Sequence, residues 1–178
     1  MRAYKVGHRD FGENKVQELI KKQQDLPKDI RWHMIGHLQK NKVKYLIPFI
    51  YLIHSVDNLS LLKKINELSV KNQKKTNCLI QMKIAEEDTK FGFSETTTHH
   101  LLNSKYEETF PYINIKGLMG MATATNQKKQ IEIEFQKLKY IYTKYPKLQT
   151  LCMGMSQDYK IAIKSNSNMI RIGTYIFS

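Results

Sequence analysis

Two short turns near the end of the chain carry residue types that bind anions. Gly154-Met155-Ser156 closes one apolar run, and Gly173-Thr174 closes another. A phosphate group needs backbone N–H groups that it can approach closely and a hydroxyl that faces it, and glycine beside serine or threonine supplies both. Ser156 alone would also suit the N-cap of a helix. Taken together, the two turns predict a phosphate site formed by Ser156, Gly173 and Thr174.

An arginine lies in the apolar run that leads to the second turn. Arg171 comes two residues before Gly173, so alternation along a strand turns both residues to the same side. A guanidinium group inside a sheet is costly unless it is paired. We therefore expect Arg171 to face a ligand.

Other titratable residues indicate chemistry less clearly. His33 and His37 have the spacing of a metal pair, but the glutamate of the zinc helix motif is absent and the segment has a strand pattern, so we expect hydrogen-bonded histidines and no metal. His54 has no nucleophile or carboxylate at a recognisable spacing. Asp57 and Glu13 would suit an acid/base couple, although capping of a helix N-terminus is the favoured role for each.

Elements that could position these residues alternate along the chain. Nearly continuous apolar runs, each followed by an amphipathic segment, are typical of a parallel sheet covered by helices on both faces. The predicted strands are 10–13, 31–38, 50–56, 77–84, 115–122, 150–155 and 169–177. The predicted helices are 15–24, 40–47, 59–72, 95–105 or as far as 110, 127–144 and 158–164.

The number of strand-helix units predicts the fold. Seven units are one short of an eight-fold α/β barrel of the TIM type, in which functional residues lie at the carboxyl ends of the strands. The opening residues 1–7 have the pattern of a helix end closed by glycine, so we expect the first strand and most of its helix to be missing. An open Rossmann sheet is the alternative, but no Gly-x-Gly-x-x-Gly follows a strand. We expect residues 1–178 to form a single, N-terminally truncated barrel domain.

Composition limits the classes of function. The 178 residues are 41% hydrophobic, and the two cysteines, Cys78 and Cys152, both lie in strand-like runs, which favours free thiols and a cytoplasmic protein. No apolar stretch is long enough to span a membrane. The net charge of +13 would suit nucleic acid, but the lysines form short clusters typical of solvated helix faces, and no nucleic-acid motif is present.

Taken as a set, the motifs identify a family. The chain resembles the pyridoxal phosphate homeostasis proteins, whose fold is that of the N-terminal domain of alanine racemase. The matching stretches are FGENKVQEL (11–19), WHMIGHLQKNKVK (32–44), IHSVDN (53–58), LIQMKIAEEDTKFGF (79–93), IKGLMGMAT (115–123), LCMGMSQDYKIAI (151–163) and IRIGTYIF (170–177). They occur in the same order as in the family and span nearly the whole chain.

The resemblance implies a function and assigns roles to residues. Family members are single-domain, monomeric barrels that bind pyridoxal 5′-phosphate (PLP), have no established catalytic turnover and influence the supply of vitamin B6. By resemblance the two turns described above hold the phosphate, and Arg171 faces the pyridine nitrogen. Asn14 and Met155 are expected to line the cofactor less directly. A non-catalytic PLP-binding protein is therefore the leading hypothesis.

The chain differs from the family at one functional position. Family members attach the aldehyde of PLP to a lysine in a VSKT-like stretch on the first strand, and these 178 residues contain no such stretch. The strand lysines Lys83 and Lys116 are better explained as surface or edge positions, so we expect no covalent attachment. The sequence leaves the oligomeric state open, because unpaired strand edges would allow an edge-mediated dimer or aggregation here. An amino-acid racemase on the same barrel and a basic RNA-binding module are the competing hypotheses.

Overall fold

The computed structural model describes residues 2–86 and 91–177. In these residues seven strands form one parallel sheet: β1 (Asp10–Glu13), β2 (Arg31–Met34), β3 (Leu52–Val56), β4 (Thr76–Met82), β5 (Ile113–Gly120), β6 (Thr150–Met155) and β7 (Met169–Arg171). The helices are α1 (Arg2–Lys5), α2 (Val16–Asp25), α3 (Val43–Leu46), α4 (Leu59–Lys71), α5 (Glu95–Asn103), α6 (Tyr106–Thr109), α7 (Lys128–Thr143), α8 (Tyr159–Lys164) and α9 (Thr174–Phe177). A 3-10 turn, Lys40–Lys42, leads into α3.

The order of the strands in the sheet is their order in the sequence. Each strand pairs in parallel with the strand before it, and the sheet curls into a nearly closed barrel with helices outside. The predicted α/β barrel of about seven strand-helix units is therefore confirmed. β1 and β7 are the two edges, and no ladder joins them within the described residues. Because all strands are parallel, their carboxyl ends meet at one rim, which we call the carboxyl rim.

Two apolar clusters lie on the two sides of the sheet. The larger one fills the space between the strands and the helices and includes Cys78 and Ile80 of β4. The smaller one lies inside the barrel and consists of Leu52, Leu79, Met119 and Cys152, with Met121 and Met169 packed against it. Alternation along each strand separates the two sets. Both cysteines are buried and free, as predicted.

Helix α7 packs on the barrel through apolar side chains that are three and four residues apart in sequence. Ile131, Phe135, Leu138 and Ile141 are all buried. Each such side chain contributes about 1.5–3 kcal/mol when it leaves water, so this face alone anchors the helix. None of the helices in the described part of the chain is long and apolar enough to cross a bilayer.

Strand β2 is shorter than predicted, because the chain leaves the sheet at Gly36. The prediction extended the strand to Leu38, but the strand ends at Met34. The N–H of Ile35 still donates to the Glu13 carbonyl, after which Gly36 passes against the backbone of Asn14. A Cβ atom at position 36 would lie 2.2 Å from the Asn14 carbonyl oxygen, so only glycine permits this approach.

The last predicted strand is also too long. The strand ends at Arg171, and Thr174–Phe177 forms helix α9 instead of continuing it. The N–H groups of Ile176 and Phe177 both donate to the carbonyl of Gly173, which closes a helical turn. The apolar run at Tyr175–Phe177 has the composition of a strand, but its side chains are exposed rather than buried in the barrel.

We predict that Gly154→Ala destabilises the fold. Gly154 has a φ of 100°, and a Cβ atom there would lie 2.5 Å from the Cβ of Ala162 in α8. The left-handed backbone and the crowding together should lower the free energy of unfolding by about 2 kcal/mol or more, measured by urea denaturation. Gly173→Ala is the control, because a Cβ atom there meets no other atom within 4 Å. Equal stability of the two variants would contradict the prediction.

Candidate functional site

The two turns predicted to bind phosphate lie side by side at the carboxyl rim. In the ladder between β6 and β7, Met155 is the partner of Arg171. Beyond this pair the N–H of Gly173 donates a hydrogen bond of 3.3 Å to the Oγ of Ser156. The structure therefore brings together Ser156 and Gly173, which are 17 residues apart in sequence.

An aspartate, rather than Ser156, stabilises the turn after β6. Asp158 occupies the N-cap position of α8, and its Oδ1 accepts a 2.6 Å hydrogen bond from the N–H of Met155. The N–H of Asp158 donates in turn to the Met155 carbonyl at 3.1 Å. Since Asp158 closes the turn, the Ser156 hydroxyl is directed toward β7 and is not used as a cap.

The surroundings of Gly173 are open. Its φ lies outside the left-handed region, and a Cβ atom would meet nothing within 4 Å. Neither the backbone nor the packing in this structure therefore requires glycine at this position. The absence of a side chain at Gly173 leaves space beside the backbone at the carboxyl rim. Thr174 follows directly, at the start of α9, and is exposed.

Arg171 has buried donors without acceptors. Its Nε and Nη2 atoms are buried, and neither has a hydrogen-bond partner in the described part of the chain. The guanidinium lies close enough to the barrel interior for its charge to lower the pKa values of His54 and Cys152, although burial has the larger effect on both groups. Leaving a buried donor unpaired costs about 1–3 kcal/mol, so a bound acceptor would stabilise this side chain.

A line of hydrogen-bonded side chains crosses the barrel interior below Arg171. His33 Nε2 lies 3.1 Å from Asp10 Oδ1, and His33 Nδ1 lies 2.8 Å from His54 Nε2. His54 Nδ1 lies 3.5 Å from the sulfur of Cys152. Burial lowers the pKa of His33, and it lowers the pKa of His54 further. The prediction that His33 is hydrogen-bonded is confirmed, and we call these four residues the interior line.

The interior line could not be recognised from sequence spacing. His33 and His54 are 21 residues apart, and His54 and Cys152 are 98 residues apart. Side chains alternate between the two faces of a strand, so His54 lies on the same face of β3 as Leu52 and therefore inside the barrel. This alternation was the one feature of the sequence that could have indicated the position of His54.

Asn14 and Met155 lie at the rim but differ in their surroundings. Met155 ends β6 beside Ser156, and 41% of its surface is exposed. Asn14 is exposed just beyond β1, the opposite edge strand of the sheet. No hydrogen bond joins the Asn14 side chain to another residue in the described part of the chain. Met155 is therefore adjacent to the two turns, whereas Asn14 lies at the other edge of the sheet.

Asp57 does not cap a helix, and the favoured role predicted for it is wrong. Asn58 is the N-cap of α4, and its side chain accepts from the N–H of Leu61. Asp57 is buried, and its Oδ2 lies 3.2 Å from His37 Nδ1. Glu13 forms an ion pair with Lys22 instead of meeting Asp57, so the two carboxylates do not form an acid/base couple.

A buried glutamate holds the loop after β5. Glu134 of α7 accepts hydrogen bonds from the N–H of Thr123 at 2.7 Å and from its hydroxyl at 2.6 Å. Glu134 is only 4% exposed. Thr123 lies at the carboxyl rim, so its polar groups are engaged with the protein itself.

Comparison with known proteins identifies the family. The model of the alanine racemase N-terminal domain matches residues 1–178. The chain is 34% identical to the pyridoxal phosphate homeostasis protein of Aquifex aeolicus, over 98% of this chain and 78% of that protein. The chain belongs to the pyridoxal phosphate homeostasis protein family. The Escherichia coli member is 32% identical over 98% of this chain and 77% of its own length.

Solved structures of this family and of more distant relatives share the barrel. PipY of Synechococcus elongatus without PLP aligns with a TM-score of 0.89 and 30% identity, covering 99% of this chain and 85% of PipY. The same protein with PLP bound gives a TM-score of 0.87. Alanine racemase of Bartonella henselae gives 0.72 at 15% identity, covering 96% of this chain and 46% of the racemase, which shows a common fold only.

We predict that the stability of this family member decreases as the pH falls below about 6.5. Unfolded histidines have a pKa of about 6.5, whereas burial lowers the pKa values of folded His33 and His54. Below pH 6.5 the unfolded chain therefore binds protons that the folded chain excludes. The free energy of unfolding should fall by about 1.4 kcal/mol per pH unit for each histidine.

Urea denaturation at several pH values between 8 and 5 measures this decrease. Above about pH 7 both states hold neutral histidines, and the two residues should add no pH dependence. The variant His54→Phe should show about half of the decrease. If the free energy of unfolding of that variant falls as much as that of the unaltered protein, the decrease does not arise from His54.

Proposed function

We propose that this chain binds pyridoxal 5′-phosphate at the carboxyl rim of β6 and β7 and acts in PLP homeostasis as a binding protein. The contact between Gly173 and Ser156, beside the unpartnered donors of Arg171, is the observation that carries the proposal. The names of the relatives and the PLP-bound structure of PipY support the choice of ligand.

The phosphate group of the ligand is proposed to bind at the two turns. The Ser156 hydroxyl accepts from Gly173 through its oxygen and keeps its own hydrogen for a phosphate oxygen. The open side of Gly173 allows an anion to approach the backbone, and Thr174 follows with a second hydroxyl. The net charge of +13 favours the approach of an anionic ligand over long distances.

Arg171 is proposed to donate to the pyridine nitrogen. A guanidinium group only donates hydrogen bonds, so a nitrogen that faces it stays unprotonated. PLP, when bound, supplies an electron-accepting ring, and an unprotonated nitrogen makes that ring a weaker electron acceptor. This contact supports a binding role rather than a catalytic one. Met155 and Asn14 are proposed to line the ligand less directly.

The proposed binding is noncovalent within these 178 residues. They contain no VSKT-like stretch, and Lys116 is engaged by Gln149 at 3.3 Å. Two buried free thiols support a reducing compartment such as the cytoplasm, where the family role would be exercised. In the part of the chain that the structure describes, β1 and β7 each pair with a strand on one side only, which supports an edge-mediated dimer of this chain.

We predict that substitutions at the two turns and at Arg171 weaken PLP binding. Ser156→Ala removes one hydrogen bond to the phosphate and should raise the Kd about tenfold. Arg171→Leu removes a charged donor and should raise it about tenfold to a hundredfold. Titration of the PLP absorbance by purified protein gives each Kd. Ser60→Ala, at an exposed serine of α4, is the matched control.

Pyridoxal, which lacks the phosphate, separates the two roles. Ser156→Ala should not change the affinity for pyridoxal, whereas Arg171→Leu should weaken it. Equal affinity of the unaltered protein for PLP and pyridoxal would disprove the phosphate site.

We also predict that PLP does not attach to this chain covalently. After mixing with PLP and reduction with borohydride, mass spectrometry should find no pyridoxyl group on the folded protein. Lysine residues of the urea-unfolded chain provide the positive control for the chemistry. A stoichiometric pyridoxyl group on one lysine of the folded protein would refute noncovalent binding.

A further inference from the structure

The interior line joins the amino end of the barrel to the space beside Arg171. Asp10 begins β1 and forms an ion pair with Arg31. From Asp10 the line passes through His33 and His54 to Cys152, with successive separations of 3.1, 2.8 and 3.5 Å. His33 and His54 are both buried, at 5% and 1% exposure. The proposed function gives the interior line no role.

The carboxylate of Asp10 sets the direction of every hydrogen bond in the line. A carboxylate only accepts, so His33 Nε2 carries the proton that faces Asp10. In a neutral imidazole the other nitrogen then accepts, and His33 Nδ1 receives the N–H of His54 Nε2. His54 Nδ1 is left as an acceptor, and the thiol of Cys152 donates to it. Burial favours this neutral state of both histidines.

The direction of the hydrogen bonds in the interior line decides which acceptor atoms are left for Arg171. Nε and Nη2 of Arg171 are buried and have no partner in the described part of the chain. His54 Nδ1 is the interior acceptor at the Arg171 end of the line, and the Cys152 thiol already occupies it. Met169 is the ladder partner of Cys152, and Arg171 lies two residues further along β7, so alternation turns its side chain into the barrel on the same side as Met169, next to Cys152.

We propose that Cys152 is a positioning residue: by occupying His54 Nδ1, its thiol leaves the buried N–H groups of Arg171 directed toward a ligand at the carboxyl rim. The ligand class is an aromatic ring with an unprotonated nitrogen, so the inference rests on the proposed function. Without the thiol, His54 Nδ1 becomes a free acceptor, and the guanidinium turns inward to it. Ligand affinity then falls although no ligand contact has been removed.

Two substitutions at Cys152 test this role. Cys152→Ala removes the donor and should raise the Kd for PLP about tenfold. Cys152→Ser keeps a donor of similar size and should bind PLP within about twofold of the unaltered protein. The double variant Cys152→Ala with His54→Phe lacks the competing acceptor and should regain most of the affinity. If Cys152→Ser binds as weakly as Cys152→Ala, the positioning role is wrong.

Cys78→Ala is the matched control. Cys78 is as deeply buried as Cys152 but lies in the outer cluster, away from the interior line. Both alanine variants remove a buried thiol, so loss of packing should affect them alike. Only the variant at Cys152 should change the affinity for PLP.

A ring analogue distinguishes positioning from a general loss of structure. In this analogue of PLP the ring nitrogen is replaced by C–H, so it offers Arg171 no acceptor. Cys152→Ala should bind the analogue as well as the unaltered protein does. Equal weakening for PLP and for the analogue would overturn the inference.

Nitrogen NMR of the histidines tests the line without any ligand. In the unaltered protein His54 should carry its proton on Nε2, and the Nδ1 resonance should have the shift of an unprotonated nitrogen. A proton on His54 Nδ1 would refute the inference even if PLP binds. Failure of the unaltered protein to bind PLP, with Nε2 protonated as expected, would refute the proposed function and the ligand role of Cys152 but not the direction of the line.

Discussion

The parallel pairing of Met155 with Arg171 is the constraint on which the proposed site depends. It aligns the ends of β6 and β7, so the turns that follow both strands emerge at the same height on the carboxyl rim. Gly173 and Ser156 can then meet. Alternation from Met169, which packs against the inner cluster, turns Arg171 toward the inside of the barrel. A shift of this pairing by one residue would exchange the inside and outside positions of β7. The guanidinium would then lie among the helices.

Charge is distributed unevenly between the barrel interior and its rim. At the end beside Arg171 the interior line consists of neutral groups, because burial disfavours a charge on His54 and Cys152, whereas its other end is the carboxylate of Asp10. The guanidinium of Arg171 is therefore the charge that this region presents to a ligand. Because the groups next to the guanidinium are neutral and buried, its field is little screened in this medium of low dielectric constant.

The segments beyond the strands are held by carboxylates from neighbouring elements. Glu134 engages Thr123 after β5, Asp158 engages Met155 after β6, and Asp57 lies against His37. Glu134 and Asp158 accept hydrogen bonds from the segment at the strand end, and Asp57 Oδ2 lies 3.2 Å from His37 Nδ1. Contacts within the protein therefore hold the segments of the carboxyl rim in place before any ligand binds. Such preorganisation lowers the conformational entropy that binding would otherwise cost.

The sequence predicted the barrel well because its strands are nearly continuous apolar runs between amphipathic helices. The same logic failed at Tyr175–Phe177, where an apolar run forms an exposed helical turn. The sequence also could not predict the close approach at Gly36, because the Asn14 backbone that it contacts follows a different strand, β1. The adjacency of Ser156 and Gly173 followed from strand order alone. The interior line did not, since its direction depends on tautomers and on partners far apart in the chain.

The strand order also has a consequence for synthesis. Because every strand pairs with its predecessor, a nascent polypeptide emerging from the ribosome already contains the template for each new strand. Each pairing then closes a loop of a few tens of residues rather than joining distant halves of the chain, which keeps the contact order lower than that of a sheet with distant pairings. β7, which carries Arg171, is the last of the seven described strands to be synthesised.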